Sequence, residues 1–359
     1  MCKKLVCLAS IVLVFSLSAD VSLGQDIFDF DGGGDGTSWS DPNNWEHVSD
    51  PNGVPVGGNP TAPPDALTDA NIPIAGAVAT AGSTGLNVRV GTAAGAGSLS
   101  LGAGGSLTST SSIRIGADPN ASANGGTLDI TGGTLVSGND IFAGNGSVGV
   151  ITMSGGSATT DDDFFVNAGS SFTMTGGTLE VGDNFQTSGD ASITIDGGTY
   201  KGFDDLRLSG VPLWTVDSGF VEVRDKIRFE ADPNVPDGQM TINGGLVRAE
   251  EYGQDTSVDS ALGTVEINGD GKFQVTRDTY NLPRVLGWIS NGDITTTDAG
   301  PLGIQLVTVP DFFGFIDREF YQISIGPTTI PEPASLLLLS FGSLGLLVRR
   351  GKRSRSIET

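Results

Sequence analysis

The chain has only two cysteines, Cys2 and Cys7, and both fall inside its first apolar segment. The rest of the chain has no thiol, so no disulfide, cysteine nucleophile or zinc–thiolate site can be built there. Histidine is scarcer still: His47 is the only one. A Ser-His-Asp triad or a histidine metal site in the later chain is thereby excluded. Aromatic residues make up 7% and charged residues 17% of the sequence. Basic residues are the rarer charge, with 19 Lys and Arg against 42 Asp and Glu, a formal net charge of −23. Setting aside Lys3, Lys4 and Asp20 at one end, and five basic and two acidic residues from Glu332 onward, leaves the body near −27. Such a surface repels phosphate backbones, which argues against a nucleic-acid partner. It suits divalent cations, neutral or cationic polymers, or simple solubility outside the cell.

Glycine, by contrast, is abundant at 54 of 359 residues. In a helix interior each costs roughly 1 kcal/mol relative to alanine, so the composition favours short strands joined by tight turns. One pattern recurs: two alternating apolar residues, a polar residue, then Gly-Gly or a close variant. It stands at Leu128–Gly133, Ile151–Gly156, Phe172–Gly177 and Ile193–Gly198, with weaker copies at Trp214–Gly219, Met240–Gly245 and Val265–Asp270. Measured at the second glycine position, the steps are 23, 21, 21, 21, 26 and 25 residues.

A second strand comes in phase with the first. Eight residues after each second glycine stands Ile141, Phe164, Phe185, Leu206 or Ile227, and the same offset from Gly105 gives Ile113. An earlier coil is therefore expected near Leu99. Between the two lies a third alternating segment, as in Leu179 with Val181 and Val221 with Val223. Period-2 alternation means strands with one buried and one wet face. Three such strands per repeat predict an all-β chain, a right-handed parallel β-helix of about seven or eight coils of roughly 21–26 residues. Seven coils at about 4.8 Å make a rod roughly 34 Å long. Gly-Gly pairs suit the corners, where positive φ is needed. A β-sandwich is the rival fold. The expected layout is a signal peptide at 1–24, an N-terminal cap and loop region at 25–85, and repeats at 86–275. Terminal coils and a C-terminal cap occupy 276–328, where Trp288, Phe312, Phe313, Phe315 and Phe320 add bulk.

The ends read as addresses. Lys3 and Lys4 precede an apolar run from Leu5 to Leu17, and Ser22 and Gly24 fit the positions read by a signal peptidase. Cleavage before Gln25 is expected, with Ala19 as the alternative. At the other end, Pro331-Glu332-Pro333 precedes an apolar stretch from Ala334 to Val348 and the basic cluster Arg349, Arg350, Lys352 and Arg353. In that order these parts resemble the PEP-CTERM sorting signal, expected here at 329–359. The resemblance implies an exosortase partner, a transient anchor formed by one hydrophobic C-terminal helix, and release to the cell surface. Fifteen helical residues reach about 22 Å, short of the roughly 30 Å hydrocarbon core. The basic cluster stays cytoplasmic by the positive-inside rule. The N-terminal run Asp31–Trp39 followed by Asp41–Trp45 resembles the opening of autotransporter-associated β-strand proteins, which implies that Trp39 and Trp45 cover the first coil.

Candidate sites are few. Asp29, Asp31 and Asp35 lie in a loop with the oxygen density of a calcium site, though Ser40 takes the place of the EF-hand glutamate. Asp161, Asp162 and Asp163 precede a strand at a corner, and Asp183, Asp204 with Asp205, and Asp225 recur near the equivalent place. Calcium between them and independent solvation are both open readings. Thr152, Thr173, Thr194, Thr215 and Thr241 form an outward threonine ladder, which fits either an ice- or mineral-binding face or ordinary β-propensity. No cofactor and no catalytic constellation is expected. Carboxylate-only chemistry, as in a β-helical polysaccharide lyase or glycoside hydrolase, would fall to pairs such as Glu250 and Glu251. The Gly-His-Gly signature of β-helical polygalacturonases is missing. The leading expectation is an exported structural or binding protein of the cell surface or matrix, associated with exopolysaccharide.

Overall fold

A computed structural model describes residues 25–116, 124–230, 238–252, 263–310 and 317–326. Short strands run around a narrow axis and pair in parallel with their equivalents one turn later, giving about eight turns of a β-solenoid. On the first face, Leu101, Ile130, Met153, Met174, Ile195, Val216, Ile242 and Ile267 stand in register. Each is at most 1% exposed. The single interior column expected from the repeat is thus formed.

The second face carries Leu107, Leu135, Ala158, Leu179, Tyr200, Val221, Val247 and Phe273 inward. The third carries Val88, Ile113, Ile141, Phe164, Phe185, Leu206, Ile227 and Tyr252. A single turn could not hold itself, because its few inward side chains are worth roughly 1.5–3 kcal/mol each against about 1–2 kcal/mol of backbone entropy per residue. Stacking shares the backbone hydrogen bonds between turns. In the middle the axis is filled by rings: Phe185 lies 4.9 Å from Phe164, 5.4 Å from Tyr200 and 5.4 Å from Trp214.

The Gly-Gly corners work for two reasons rather than one. From Gly156 onward the second glycine has positive φ, +76° there and +84° at Gly177. In the first copy neither glycine does; a Cβ on Gly133 would instead lie 2.7 Å from the carbonyl oxygen of Gly105. Corner backbones of successive turns pass too close for a side chain, whatever the dihedral.

Parallel stacking begins one turn before Leu99. Asp69–Ile72, Ala77–Val78 and Ser83–Gly85 already pair with Val88–Val90, Gly97–Leu101 and Ser106–Ser109. Ile27–Phe30 adds to this turn in parallel and pairs antiparallel with Trp45–Ser49. Trp39 and Trp45 are 1% and 0% exposed and meet edge to face at 4.8 Å. The Trp39 backbone N–H donates to Val78 O, so the pair closes the first turn, as the N-terminal sequence implied.

The far end carries a short helix beside its strands. Residues 282–291 form a helix, α1 (Leu282–Asn291), the only α-helix among the described residues. Asn281 caps it by accepting from Arg284 N–H, Pro283 sits in the first turn, and Gly292 ends it at φ +85°. Trp288 on α1 packs edge to face on Tyr252 at 4.9 Å and on Tyr280 at 4.8 Å. Ile294–Thr295 returns to the first face. A hairpin of Leu302–Pro310 and Asp317–Ile325 then pairs antiparallel with Lys272–Thr276 and ends the second face. Phe320 is buried there at 3% exposed; Phe312, Phe313 and Phe315 lie outside the described residues.

Candidate functional site

The acidic corner is set by the register of the third face. Because Phe164, Phe185, Leu206 and Ile227 pair in sequence, the residues two before them form one column: Asp162, Asp183, Asp204 and Asp225. The residues one before form a second: Asp140, Asp163, Asn184, Asp205 and Lys226. Backbone hydrogen bonds tie the turns, from Phe164 N–H to Asn184 O at 2.9 Å and from Phe185 N–H to Asp205 O at 3.0 Å. Carboxylate oxygens of Asp140, Asp162 and Asp163 fall within 4.8 Å of one another, as do those of Asp204, Asp205 and Asp225. Asp161 is exposed and stands outside both groups.

The inner column is largely satisfied by the protein. Asp163 accepts from Asn184 N–H at 2.9 Å, Asn184 Nδ2 at 3.0 Å and Gln186 Nε2 at 2.8 Å. Asp205, whose side chain is 1% exposed, has Arg228 Nε at 2.6 Å and Arg207 at 3.4 Å. The outer column is not neutralised in this way. Burial, then a hydrogen bond to Asp204, then the neighbouring carboxylates push Asp183 up to about 6. Burial is also the first cause raising Asp140, Asp205 and Asp225, with Arg228 opposing it at Asp205.

Beside this corner, the solvent side of the third face carries Arg89, Arg114, Phe142, Phe165, Gln186, Arg207 and Arg228 in one column. Phe142 and Phe165 are half-buried and stack at 4.7 Å with 3° between their planes. Arg114 lies over Phe142 at 5.5 Å, and Arg89 is drawn back to Asp69 at 2.9 Å. The repeat is recognised from the inward residues of these triplets alone. The strip could have been found in their middle residues.

The N-terminal acidic loop is held by its own hydrogen bonds. Asp31 accepts from Gly33 N–H at 2.9 Å, and Asp35 Oδ1 accepts from Thr37 N–H, Ser38 N–H and Asn44 Nδ2 at 2.7–2.9 Å. Those donors hold the Asp35 carboxyl below the usual range. Asp29 accepts from Asn71 Nδ2 at 2.9 Å, yet burial raises it. At the centre is Asn44, fully buried, whose Oδ1 accepts from Gly34 and Gly36 N–H at 2.9 Å each.

The threonine ladder is in register from Thr152 to Thr241, bounded by Asp129 before it and Glu266 after it. His47 pairs with Asp26 at 2.9 Å in an open N-terminal groove also lined by Phe28, Pro60 and Thr68. Glu250 is paired with Arg318, and Glu251 lies 3.3 Å from Lys226.

Pro331, Glu332, Pro333, Arg349, Arg350, Lys352 and Arg353 lie outside the described residues, as does the expected tail helix. Among the described residues, no helix is long and apolar enough to cross a membrane. No curated protein and no solved structure matches the chain, so the N-terminal likeness to autotransporter-associated proteins gains nothing from comparison. Residues 329–353, in contrast, match the PEP-CTERM protein-sorting motif, which implies an exported, membrane-transiting protein processed by an exosortase.

Proposed function

We propose that the chain is a non-catalytic scaffold of the cell surface or extracellular matrix that contacts exopolysaccharide. A signal peptidase removes residues 1–24, and the exosortase removes the tail and frees the rod. The observation that carries this reading is the union of the sorting motif with a solenoid whose axis is filled by side chains. The polysaccharide contact is supported by the third face. Stacked Phe142 and Phe165 offer a short apolar ridge for the apolar side of sugar rings, and Arg114 and Gln186 on either side offer donors for hydroxyls. Glu250 and Glu251, the acidic pair considered for lyase or hydrolase chemistry, are each in an ion pair.

Binding of the protein to a glycan array and to exopolysaccharide from its own host tests the reading. Replacing both Phe142 and Phe165 with Ala should weaken retention by about tenfold, since each stack is worth around 0.5–1.5 kcal/mol. Retention unaffected by that change would refute the assigned face, and release of new sugar ends from the polymer would favour the enzyme reading. Replacing Pro331, Glu332 and Pro333 with Ala should leave the protein in the membrane fraction. The in-register threonine column supports an ice- or mineral-binding alternative, which thermal hysteresis of the wild type against Thr173→Tyr decides.

A further inference from the structure

Removal of residues 1–24 has a chemical consequence at the new end of the chain. The first residue left is Gln25. A glutamine in first position carries an amine and an amide that can close on each other into a five-membered ring. An ion pair that held the amine, or a hydrogen bond that held the amide, would oppose this closure.

The fold provides neither. Its order begins one residue later, at Asp26, whose carbonyl oxygen accepts from Asp69 N–H at 2.9 Å. Ile27 then opens the strand that adds to the first turn. Gln25 is exposed and stands outside that strand, and it has no hydrogen-bond partner among the described residues. Two carboxylates line the adjoining N-terminal groove, and both are engaged. Asp26 is paired with His47 Nε2 at 2.9 Å, and Asp65 accepts from Leu67 N–H at 2.9 Å.

We propose that Gln25 is a modification site, converted to pyroglutamate once the leader has gone; this rests on the cleavage before Gln25 assigned above. The α-amine nitrogen attacks the side-chain Cδ and forms the new amide bond. The bond from Cδ to Nε2 breaks, a proton passes from the amine to the departing nitrogen, and ammonia leaves. No oxidant, reductant or second substrate is consumed. Well-oriented intramolecular reactions reach effective molarities of about 10⁵–10⁸ M, and the exposed, unheld residue is free to take the geometry that this needs. The ring removes the positive charge that cleavage creates beside Asp26, so the carboxylate stays with His47. It also leaves an exported rod with no α-amine for an aminopeptidase to grip.

The test uses the mature protein recovered from its own host. Its amines are dimethylated before digestion, so that ring closure during work-up is not counted, and the N-terminal peptide is weighed by mass spectrometry. The peptide should begin at residue 25, be lighter than the encoded sequence by one ammonia, and carry no methyl groups at its end. Edman degradation should be blocked, and after treatment with a pyroglutamate aminopeptidase it should read Asp26-Ile27-Phe28. Gln25→Ala should be cleaved at the same place, appear dimethylated, and melt at the wild-type temperature, because the Gln25 side chain holds nothing. A peptide that begins at residue 25 and is mainly dimethylated glutamine would overturn the proposal while leaving the cleavage site standing. A peptide that begins at Asp20 or Met1 would overturn the cleavage site, and the proposal with it.

Discussion

Replacing Phe185 with Ala should be among the most damaging single changes in this protein. Its ring is fully buried on the axis and touches rings on both neighbouring turns: Phe164 at 4.9 Å, Phe172 at 6.1 Å, and Tyr200 and Trp214 at 5.4 Å each. Phe-to-Ala changes in a core cost about 3–5 kcal/mol, and the upper part of that range applies where the site cannot collapse. Collapse is resisted here because each surrounding ring belongs to a column locked by parallel pairing on both sides. A loss of about 4 kcal/mol is expected, or a fall in melting temperature of roughly 8–16 °C at 2–4 °C per kcal/mol. Phe165→Ala is the control: the same residue type one turn earlier, on the solvent side and stacked on Phe142 alone. It should cost no more than about 1.5 kcal/mol. Urea unfolding followed by circular dichroism measures both. A cost below about 1 kcal/mol at Phe185, or equal costs at the two sites, would refute the filled-axis reasoning.

Gly156→Ala and Gly82→Ala separate crowding from dihedral strain. Both positions have φ near +80°, but an added Cβ meets Gly133 O at 2.2 Å in the first and nothing within 4 Å in the second. The second should cost about 1–2 kcal/mol and the first clearly more, read by the same unfolding midpoints. Arg248 bonds Glu222 and Gln274 at 2.9 Å each and lies over the rings of Phe220 and Phe320. Arg248→Ala removes a charged hydrogen bond to Glu222, which is 6% exposed, and should cost about 1.5–3 kcal/mol. Adding Glu222→Gln should recover part of that loss in a double-mutant cycle. Stability should also fall as pH rises from about 4 to 6. The folded state keeps the Asp183 proton up to about 6, whereas the unfolded carboxyl releases it near 3.8. Melting temperatures across that range should show the fall in the wild type and a flatter profile in Asp183→Asn. The lowered carboxyls of Asp35 and Asp41 act in the opposite sense, giving stability that is lost as pH falls below the ordinary value.

The interior columns were legible because two signals coincide: period-2 alternation in Ile151-Thr152-Met153 and glycine punctuation three residues on. Where one signal fails, so does the reading. The turn at Ala77–Val78 and Ser83–Gly85 is built from small residues with no Gly-Gly pair, and it pairs all the same. Helix α1 hides in a segment read for strands, although Asn281, Pro283 and Gly292 are ordinary start and stop signals. The corner aspartates were visible as a recurrence, but their inequality was not. Whether a carboxylate is neutralised depends on Arg207, Arg228 and Gln186, which reach it only across turns. In the N-terminal loop, Asn44 was unreadable because its importance comes from burial, not from type.

The one-residue-per-turn columns have a further consequence. On the third face the inward residues hold the rod together, while Arg89, Arg114, Phe142, Phe165, Gln186, Arg207 and Arg228 are displayed outward like characters on a ruled tape, one every 4.8 Å or so. Phe142 and Phe165 can be rewritten without disturbing the binding of the book, whereas Arg89, Arg207 and Arg228 also answer buried carboxylates. A chain built this way can change what it grips in single steps, at a cost to stability far below that of altering its spine.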